Sequence, residues 1–378
     1  MKFRIERDAL ADAVAWTARA LPPRPAVPVL AGLLLEADGS SLSVSGFDYE
    51  VSTQVTVDVH ASTAGRTLVS GRLLADIAKA LPPHPVELSV EGPRVTIACG
   101  SARFTLPTMP VEDYPTLPAM PTTAGTVDSE EFAAAVAQVA VAAGRDDTLP
   151  MLTGVRLEIA GDRITLAATD RYRVGARELA WKPEQDDISQ VALIPARTLD
   201  QTAKTLTGGP QVTLALSAGG AGEGIIGFSG GASKGGTGSR RTTTRLLDGQ
   251  FPPYQKLWPS EFAAEAEVPV APLLEAVKRV ALVAERGTPV RLEFAEGGVT
   301  LSAGGDDEGR AEEQLEAHYT GEPLTVAFNP GYLLDGLGAL DAETAALGFT
   351  GAIKPAVISG KESASDYRYL IMPVRMPT

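Results

Sequence analysis

An α+β fold of three repeated domains is what this sequence predicts. Three observations carry that expectation: a length beyond one ordinary core, a motif that recurs along the chain, and helical and strand-like periodicities alternating in the same order each time. The chain has 378 residues and a mass of 39.4 kDa, enough for two or three domains. Pro28-Val-Leu-Ala-Gly-Leu-Leu-Leu-Glu36 and Pro150-Met-Leu-Thr-Gly-Val-Arg-Leu-Glu158 share proline, leucine, glycine, leucine and glutamate at the same spacing, and a shorter copy reads Pro289-Val-Arg-Leu-Glu293. A repeat of this size is read before any local feature, because it sets the architecture.

Each copy follows a stretch with apolar residues at helical spacing: Leu10, Val14 and Ala18; Phe132, Val136 and Val139; Leu273, Val277 and Val280. A second helix is expected in each unit, over Ser70–Leu81, Pro195–Leu206 and Asn329–Leu340, each opening on a capping or turn residue. Alternating segments such as Leu42–Ser45, Ile164–Ala167, Val86–Val90 and Val212–Leu216 read as half-buried strands. The first two units close alike, on Asp113-Tyr-Pro-Thr-Leu-Pro118 and Phe251-Pro-Pro-Tyr-Gln-Lys-Leu-Trp-Pro259. The expected domains are therefore 1–122, 123–259 and 260–378, each with two helices and antiparallel strands.

The hydrophobic share of 44% and charged share of 21% are globular values. Met1–Arg7 is charged and lacks the apolar stretch of a signal peptide. The longest apolar run, Ala26–Leu35, contains Pro28 and Gly32 and is too short to span a membrane. With Cys99 as the single cysteine there is no disulfide framework, and a cytoplasmic protein is expected. The net charge of −14 argues against a conventional nucleic-acid binder, whose affinity begins with phosphate neutralisation.

Four further motifs carry a resemblance: Met1-Lys-Phe-Arg-Ile-Glu-Arg7, Ala168-Thr-Asp-Arg-Tyr-Arg173, Leu247-Asp-Gly-Gln-Phe-Pro-Pro-Tyr254 and Tyr369-Leu-Ile-Met-Pro-Val-Arg375. In order and position they make the chain similar, over its whole length, to the bacterial DNA sliding clamps, the beta subunit of the replicative DNA polymerase III. The resemblance implies a non-catalytic processivity factor without cofactor or metal. It implies a head-to-tail homodimer, a ring with helices lining a central hole and sheets outside, which encircles double-stranded DNA without reading its sequence. The implied partners are the replicative polymerase, an ATP-driven clamp loader and repair proteins, all held through short peptide motifs.

Geometry points to a dimer independently. A repeat of this length has a radius of gyration of roughly 14 Å and an effective radius of roughly 18 Å. Three touching discs of that size leave a gap of only a few Å, whereas six leave a hole roughly 35 Å wide, ample for a duplex about 20 Å across. A topological link also removes the charge objection, since sliding needs no tight phosphate contacts and an acidic exterior keeps stray DNA away. Candidate DNA-facing residues are Arg24, which coincides with a DNA-contacting arginine of the family, and Arg72, Lys79, Arg197, Lys204, Lys278 and Arg279. Each of the last six reads equally as an ordinary solvated helix charge.

Two sites follow from the resemblance. The peptide pocket maps onto Leu152, Thr169, Tyr172, Arg173, Val174, Pro252, Lys256, Leu257, Asn329, Tyr332, Met372, Pro373, Val374, Arg375 and Met376. Aliphatic and proline walls suit an apolar anchor, while Arg173, Asn329 and Arg375 offer bonds to peptide carbonyls or a carboxylate. Arg171-Tyr172 stands where many clamps have glycine-histidine, Gly287 where some carry a bulkier residue, and Gly351-Ala-Ile-Lys-Pro355 is an unusual wall. A specialised copy that excludes a pocket-binding inhibitor is one reading of these departures. The dimer interface maps onto Arg103, Phe104, Leu282, Val283, Asp306 and Asp307: Arg94 and Arg103 facing the acidic run Asp306–Glu316, around an apolar centre.

Enzymatic alternatives find little support. Gly222-Glu-Gly-Ile-Ile-Gly227 fits the dinucleotide pattern, but Ser217–Ala221 before it does not read as the required strand, nor Phe228–Gly231 after it as the required helix, and a flexible loop within the second domain is the reading preferred. Ser233-Lys-Gly-Gly236 has its lysine on the wrong side of the glycines for a P-loop. His60, His84, His318 and Cys99 show no metal-ligand spacing, and Asp146-Asp147 and Asp186-Asp187 lie at turn-like positions. A binding protein of the same fold acting away from replication is the remaining alternative.

Overall fold

The structure, a computed structural model, describes all residues except 218–223, 232–237, 285–287, 305–308, 364 and 376–378. Six α-helices occur among the described residues, two per repeat and where the periodicities place them: α1 (Arg7–Ala18), α2 (Gly71–Ala80), α3 (Ser129–Ala140), α4 (Ala196–Thr205), α5 (Val270–Val280) and α6 (Pro330–Gly338). Leu10 and Val14, Phe132, Val136 and Val139, and Leu273, Val277 and Val280 are all buried, so the 3.6-residue period is the core-facing stripe. The capping chemistry varies. Asn329 caps α6, its Oδ1 accepting the Tyr332 N–H at 3.1 Å, whereas Ser70 holds the corresponding place before α2 without a side-chain bond.

The chain forms two compact units. The first comprises Met1–Glu130, Lys182–Gln185 and Gln201–Leu246, the second Glu131–Trp181, Asp186–Asp200 and Leu247–Thr378. The middle third of the sequence thus contributes to both. In the first unit, strands Gly32–Asp38, Ser41–Phe47, Val51–Asp58 and Gly65–Ser70 join strands of the middle repeat in one nine-stranded sheet. The seam runs antiparallel from Val51↔Thr244 to Thr56↔Ser239. Arg240 reinforces it, donating to Asp12 at 2.7 Å and to the Thr205 carbonyl at 2.9 Å, with its guanidinium 5.3 Å from the Trp16 ring centroid.

The second unit repeats this plan. Strands Gly154–Ala160, Arg163–Thr169, Arg173–Ala180 and Ser189–Pro195 join five strands of the last repeat in another nine-stranded sheet, with the seam at Arg173↔Ile371 through Ala176↔Arg368. Each unit also keeps a smaller sheet. In the first unit it has five strands and ends on Ala102–Pro107; in the second it has four and ends on Arg310–Glu316. Fully buried side chains such as Phe3, Leu10, Phe132, Phe294 and Tyr369 anchor these layers, each contributing about 1.5–3 kcal/mol by leaving water.

The recurring proline-to-glycine motif has a packing reason. Pro28–Ala31 and Pro150–Leu152 are 3-10 turns, and the strands after them begin at Gly32 and Gly154. A Cβ on Gly32 would stand 2.7 Å from Leu68, and one on Gly154 would stand 2.8 Å from Leu193 and 2.9 Å from Leu247. The turn delivers the strand against a neighbouring leucine with no room for a side chain. Gly154→Ala is therefore expected to destabilise the fold by about 1–3 kcal/mol in urea unfolding, an overpacking cost; an unchanged midpoint would show that the leucines yield freely.

The dinucleotide-like run has no helix after it. Ile225–Gly231 is a strand of the first unit's large sheet, while residues 222 and 223 and the Ser233–Gly236 run lie outside the described residues. Cys99 is buried, with its thiol 3.2 Å from the carbonyls of Pro82 and His84. Asp146 serves a turn, accepting from both the backbone N–H and the hydroxyl of Thr148.

Candidate functional site

The site is built on the turn Asp170–Arg173, which brings strand Arg163–Thr169 onto strand Arg173–Ala180. Asp170 Oδ1 accepts the N–H groups of Tyr172 and Arg173 at 3.0 and 3.2 Å, the local bonding that makes aspartate a turn former. The Thr169 hydroxyl donates to the Arg173 carbonyl at 2.7 Å and accepts the Arg171 N–H at 3.1 Å. Closing this turn forces Arg171 to φ +80°, a left-handed conformation natural to glycine and costly for arginine. Arginine thus stands at a position whose backbone prefers glycine.

The turn sends its two next residues in opposite directions. Tyr172 is 55% exposed, and its ring stacks on Tyr332 at 6.3 Å and 25°. Arg173 is only 4% exposed. Its Nε donates to Asp170 at 2.9 Å, its Nη1 donates to Asp335 at 2.5 Å and reaches the Tyr369 hydroxyl at 3.4 Å, and its guanidinium lies 4.3 Å from the Tyr332 ring centroid. Burial opposes its charge, but the Tyr369 phenol and the carboxylates of Asp335 and Asp170 outweigh that, so its pKa lies above the usual arginine value. Burial likewise raises the pKa of Tyr369, whose hydroxyl stays protonated and donates to the Tyr332 carbonyl at 2.8 Å.

Asn329, by capping α6, sets Tyr332 and Asp335 one turn apart on the face that meets Arg173. Together these segments line a cavity of about 720 Å³, walled by Ala143–Asp146, Leu149, Leu152, Asp170–Arg173, Asn329, Gly331, Tyr332 and Asp335. Of the expected pocket residues, Leu152, Tyr172, Arg173, Asn329 and Tyr332 meet there. Thr169 is buried beneath the turn. Val174 packs with Ala167, Ala176, Tyr254 and Leu370 in a small cluster flanked by Phe251 and Trp258.

The remaining expected residues do not line this cavity. Lys256 and Leu257 lie exposed in the turn Gln255–Leu257, just after Pro252. Met372 is 38% exposed and donates its N–H to the Tyr172 carbonyl at 2.8 Å, so the chain terminus runs beside the turn. Pro373 follows, Val374 donates its N–H to the Ala327 carbonyl at 2.7 Å, Arg375 is exposed, and Met376 and Gly287 lie outside the described residues.

Arg173 lines this cavity while its Nε and Nη1 bond Asp170, Asp335 and Tyr369, so it braces the floor of the pocket. Sequence reasoning missed Asp335 and Asp170, whose signal was their spacing: three residues from Tyr332 and from Arg173 respectively.

Three stretches of the chain match known domains: residues 1–118 the DNA polymerase III beta subunit, N-terminal domain, 126–253 its central domain, and 255–375 its C-terminal domain. The chain belongs to the DNA polymerase III beta subunit family, the beta sliding clamps. It is 59% identical over 381 residues to the beta sliding clamp of Streptomyces coelicolor, covering 100% of both chains. It is 47% identical over 380 residues to the beta sliding clamp homolog GriR of Streptomyces muensis, covering 99% of both. The structure of the Pseudomonas aeruginosa clamp bound to griselimycin superposes with a TM-score of 0.90 at 27% identity, covering 100% of each chain.

The other candidate residues of this clamp are at the surface. Arg24 is exposed in the loop before the Pro28–Ala31 turn. Arg72 and Lys79 on α2 and Arg197 and Lys204 on α4 are exposed, as are Lys278 and Arg279 on α5. The last two are paired, Lys278 with Glu275 at 2.7 Å and Arg279 with Glu313 at 2.6 Å. Such exposed pairs contribute about 0–1 kcal/mol and leave the cations free to exchange partners. Arg7 and Arg19, which sequence reasoning passed over, share with Lys79 a groove between α1 and α2 floored by alanines.

Of the interface candidates, Arg103 is exposed and Phe104 half-buried on the edge strand Ala102–Pro107. Leu282 is 83% exposed and Val283 half-buried in the turn after α5. Asp306 and Asp307 lie outside the described residues.

Proposed function

We propose that this chain is the processivity ring of a replicative polymerase: two copies close around duplex DNA, slide on it and hold partners through the pocket at the Asp170–Arg173 turn. One observation supports the ring most strongly. Each nine-stranded sheet joins the early strands of one repeat to strands of the next. By the same rule, the first repeat's five-stranded sheet and the last repeat's four-stranded sheet are each half of such a sheet, and a second copy supplies the missing halves. The edge strand Ala102–Pro107 of one protomer then pairs with Arg310–Glu316 of its partner, twice, in a closed head-to-tail dimer. Arg103 and Phe104 approach Leu282, Val283 and the acidic stretch that includes Asp306 and Asp307.

On this reading the folding modules are the three repeats 1–122, 123–259 and 260–378, and the protein carries out no chemistry. Arg24, Arg72, Lys79, Arg197, Lys204, Lys278 and Arg279 face the DNA as exchangeable counter-charges. Tyr172 and Tyr332 offer an aromatic wall, and Leu152 an aliphatic one, to short motifs from the polymerase, the ATP-driven loader and repair proteins in the cytoplasm. Retention on circular DNA, with release when the circle is cut, tests the ring.

A second reading concerns selectivity. The strained Arg171 and the bulky Tyr172 both line the pocket, and one relative is the homolog GriR. If the chain is a specialised copy, a polymerase-derived peptide is expected to bind at least about tenfold better relative to griselimycin than it does on the Streptomyces coelicolor clamp, a difference of about 1.4 kcal/mol. Equal relative affinities on the two clamps would remove this reading.

A further inference from the structure

The two seams between repeats close in one register. Leu88, Leu214 and Leu347 face Ile97, Phe228 and Ile358, which in turn face Phe104, Thr242 and Tyr369, so the ladders make these last three equivalent. Thr53, Gly175 and Ala311 are equivalent in the same way, opposite Gly46, Ala168 and Ala303. Across the seams Thr242 pairs with Thr53, and Tyr369 with Gly175. Carried to the two open edges, this register sets Phe104 opposite the partner's Ala311 and Arg103 opposite the partner's Glu312. A slip that keeps the same faces inward would set Arg103 against Arg310 or Gln314 instead.

A helix contact recurs at both seams. Trp16, Gln138 and Arg279 are each the tenth residue of the first helix in their repeat. Trp16 and Gln138 are 6% exposed, whereas the Arg279 side chain is 55% exposed. Ala80, Thr205 and Ala339 each lie nine residues after the start of the second helix. Gln138 Nε2 donates to the Ala339 carbonyl at 2.8 Å, while its Oε1 accepts Arg177 Nη1 at 2.8 Å. In the first unit Arg240 covers the Trp16 ring and donates to the Thr205 carbonyl at 2.9 Å.

The open edges carry the parts of a third such contact. Ala80 is exposed at the end of α2, between the Lys79 and Leu81 carbonyls that accept from Arg7. Ala102, equivalent to Arg240, brings no side-chain donor. Glu313, equivalent to Arg177, holds Arg279 through Nε at 3.0 Å and Nη2 at 2.6 Å, as Arg177 holds Gln138. Nη1 is the nitrogen that Glu313 does not take.

We propose that Arg279 is a seam residue: braced by Glu313, it donates to the carbonyl of the partner's Ala80 and caps the C-terminal end of the partner's α2. A cation suits that end of a helix, and a charged donor strengthens the bond. The assignment rests on the ring reading and adds to it a side chain so far placed only toward DNA.

Dimer dissociation is followed by sedimentation of the full-length protein without DNA. Arg279→Gln supplies the amide that serves at Gln138 and is expected to keep the dissociation constant within about threefold. Arg279→Met, which has no donor, should raise it about tenfold. In the Phe104→Ala/Leu282→Ala background both should leave the unfolding midpoint unchanged, because the contact needs the partner. Arg103→Cys/Glu312→Cys should form a covalent dimer on mild oxidation, while Arg103→Cys/Arg310→Cys and Arg103→Cys/Gln314→Cys stay unlinked. Equal dissociation constants for the Gln and Met variants overturn the cap, and with the expected link still formed they leave the ring standing. Linking of a shifted pair overturns the register on which the cap stands. A wild-type protein that sediments as a monomer removes the ring reading and the cap with it.

Discussion

Replacing Phe104 and Leu282 together by alanine is expected to convert the dimer into a folded monomer, the molecular mass falling from twice 39.4 kDa to 39.4 kDa in sedimentation. Leu282 presents nearly its whole side chain to solvent, and Phe104 lies on an edge strand with an open side. In the proposed seam these are the apolar contacts, and truncating two buried anchors at an interface centre costs about 2–4 kcal/mol each. The charged residues around them set the pairing and the association rate but add little to the affinity. Leu282 contributes nothing to its own protomer's core, and Phe104 only flanks it, so the unfolding midpoint of the monomer should move little. A dimer of unchanged mass would mean that the open strand edges serve another purpose.

Removing Arg173 should have the largest effect on stability and on the pocket together. Arg173→Ala leaves Asp170 without its charge partner at 13% side-chain exposure, and releases Asp335, which is 39% exposed. Stranding a carboxylate in a buried pair costs about 3–5 kcal/mol, and the exposure of Asp335 discounts that toward about 3 kcal/mol. The same change frees Tyr332 and Tyr369, so a polymerase-derived peptide should lose at least about tenfold in affinity. Tyr172→Ala provides the contrast. Its ring is more than half exposed, so urea stability should stay within about 0.5 kcal/mol while peptide affinity falls. Equal effects of both substitutions on stability would contradict the floor-and-wall division.

Much of this arrangement was legible in the sequence because it is local or repeated. The helices follow from apolar residues three and four apart, and the repeat from the proline-to-glycine motif, whose cause is a steric limit that recurs at Gly32 and Gly154. Arg173, Tyr332 and Asn329 came from the family resemblance and meet in the cavity. The merging of repeats into nine-stranded sheets was not legible, since strand partners such as Val51 and Thr244 are set by long-range packing. For the same reason the partners of Arg173 stayed hidden, because Asp335 lies 162 positions away.

The most direct test of the central claim is retention of the loaded protein on a nicked circular plasmid during gel filtration in high salt, before and after one restriction cut. A ring held by topology stays with the circle, resists salt that strips ordinary phosphate contacts, and leaves the DNA when it is made linear. Retention that is unaffected by the cut would contradict encirclement.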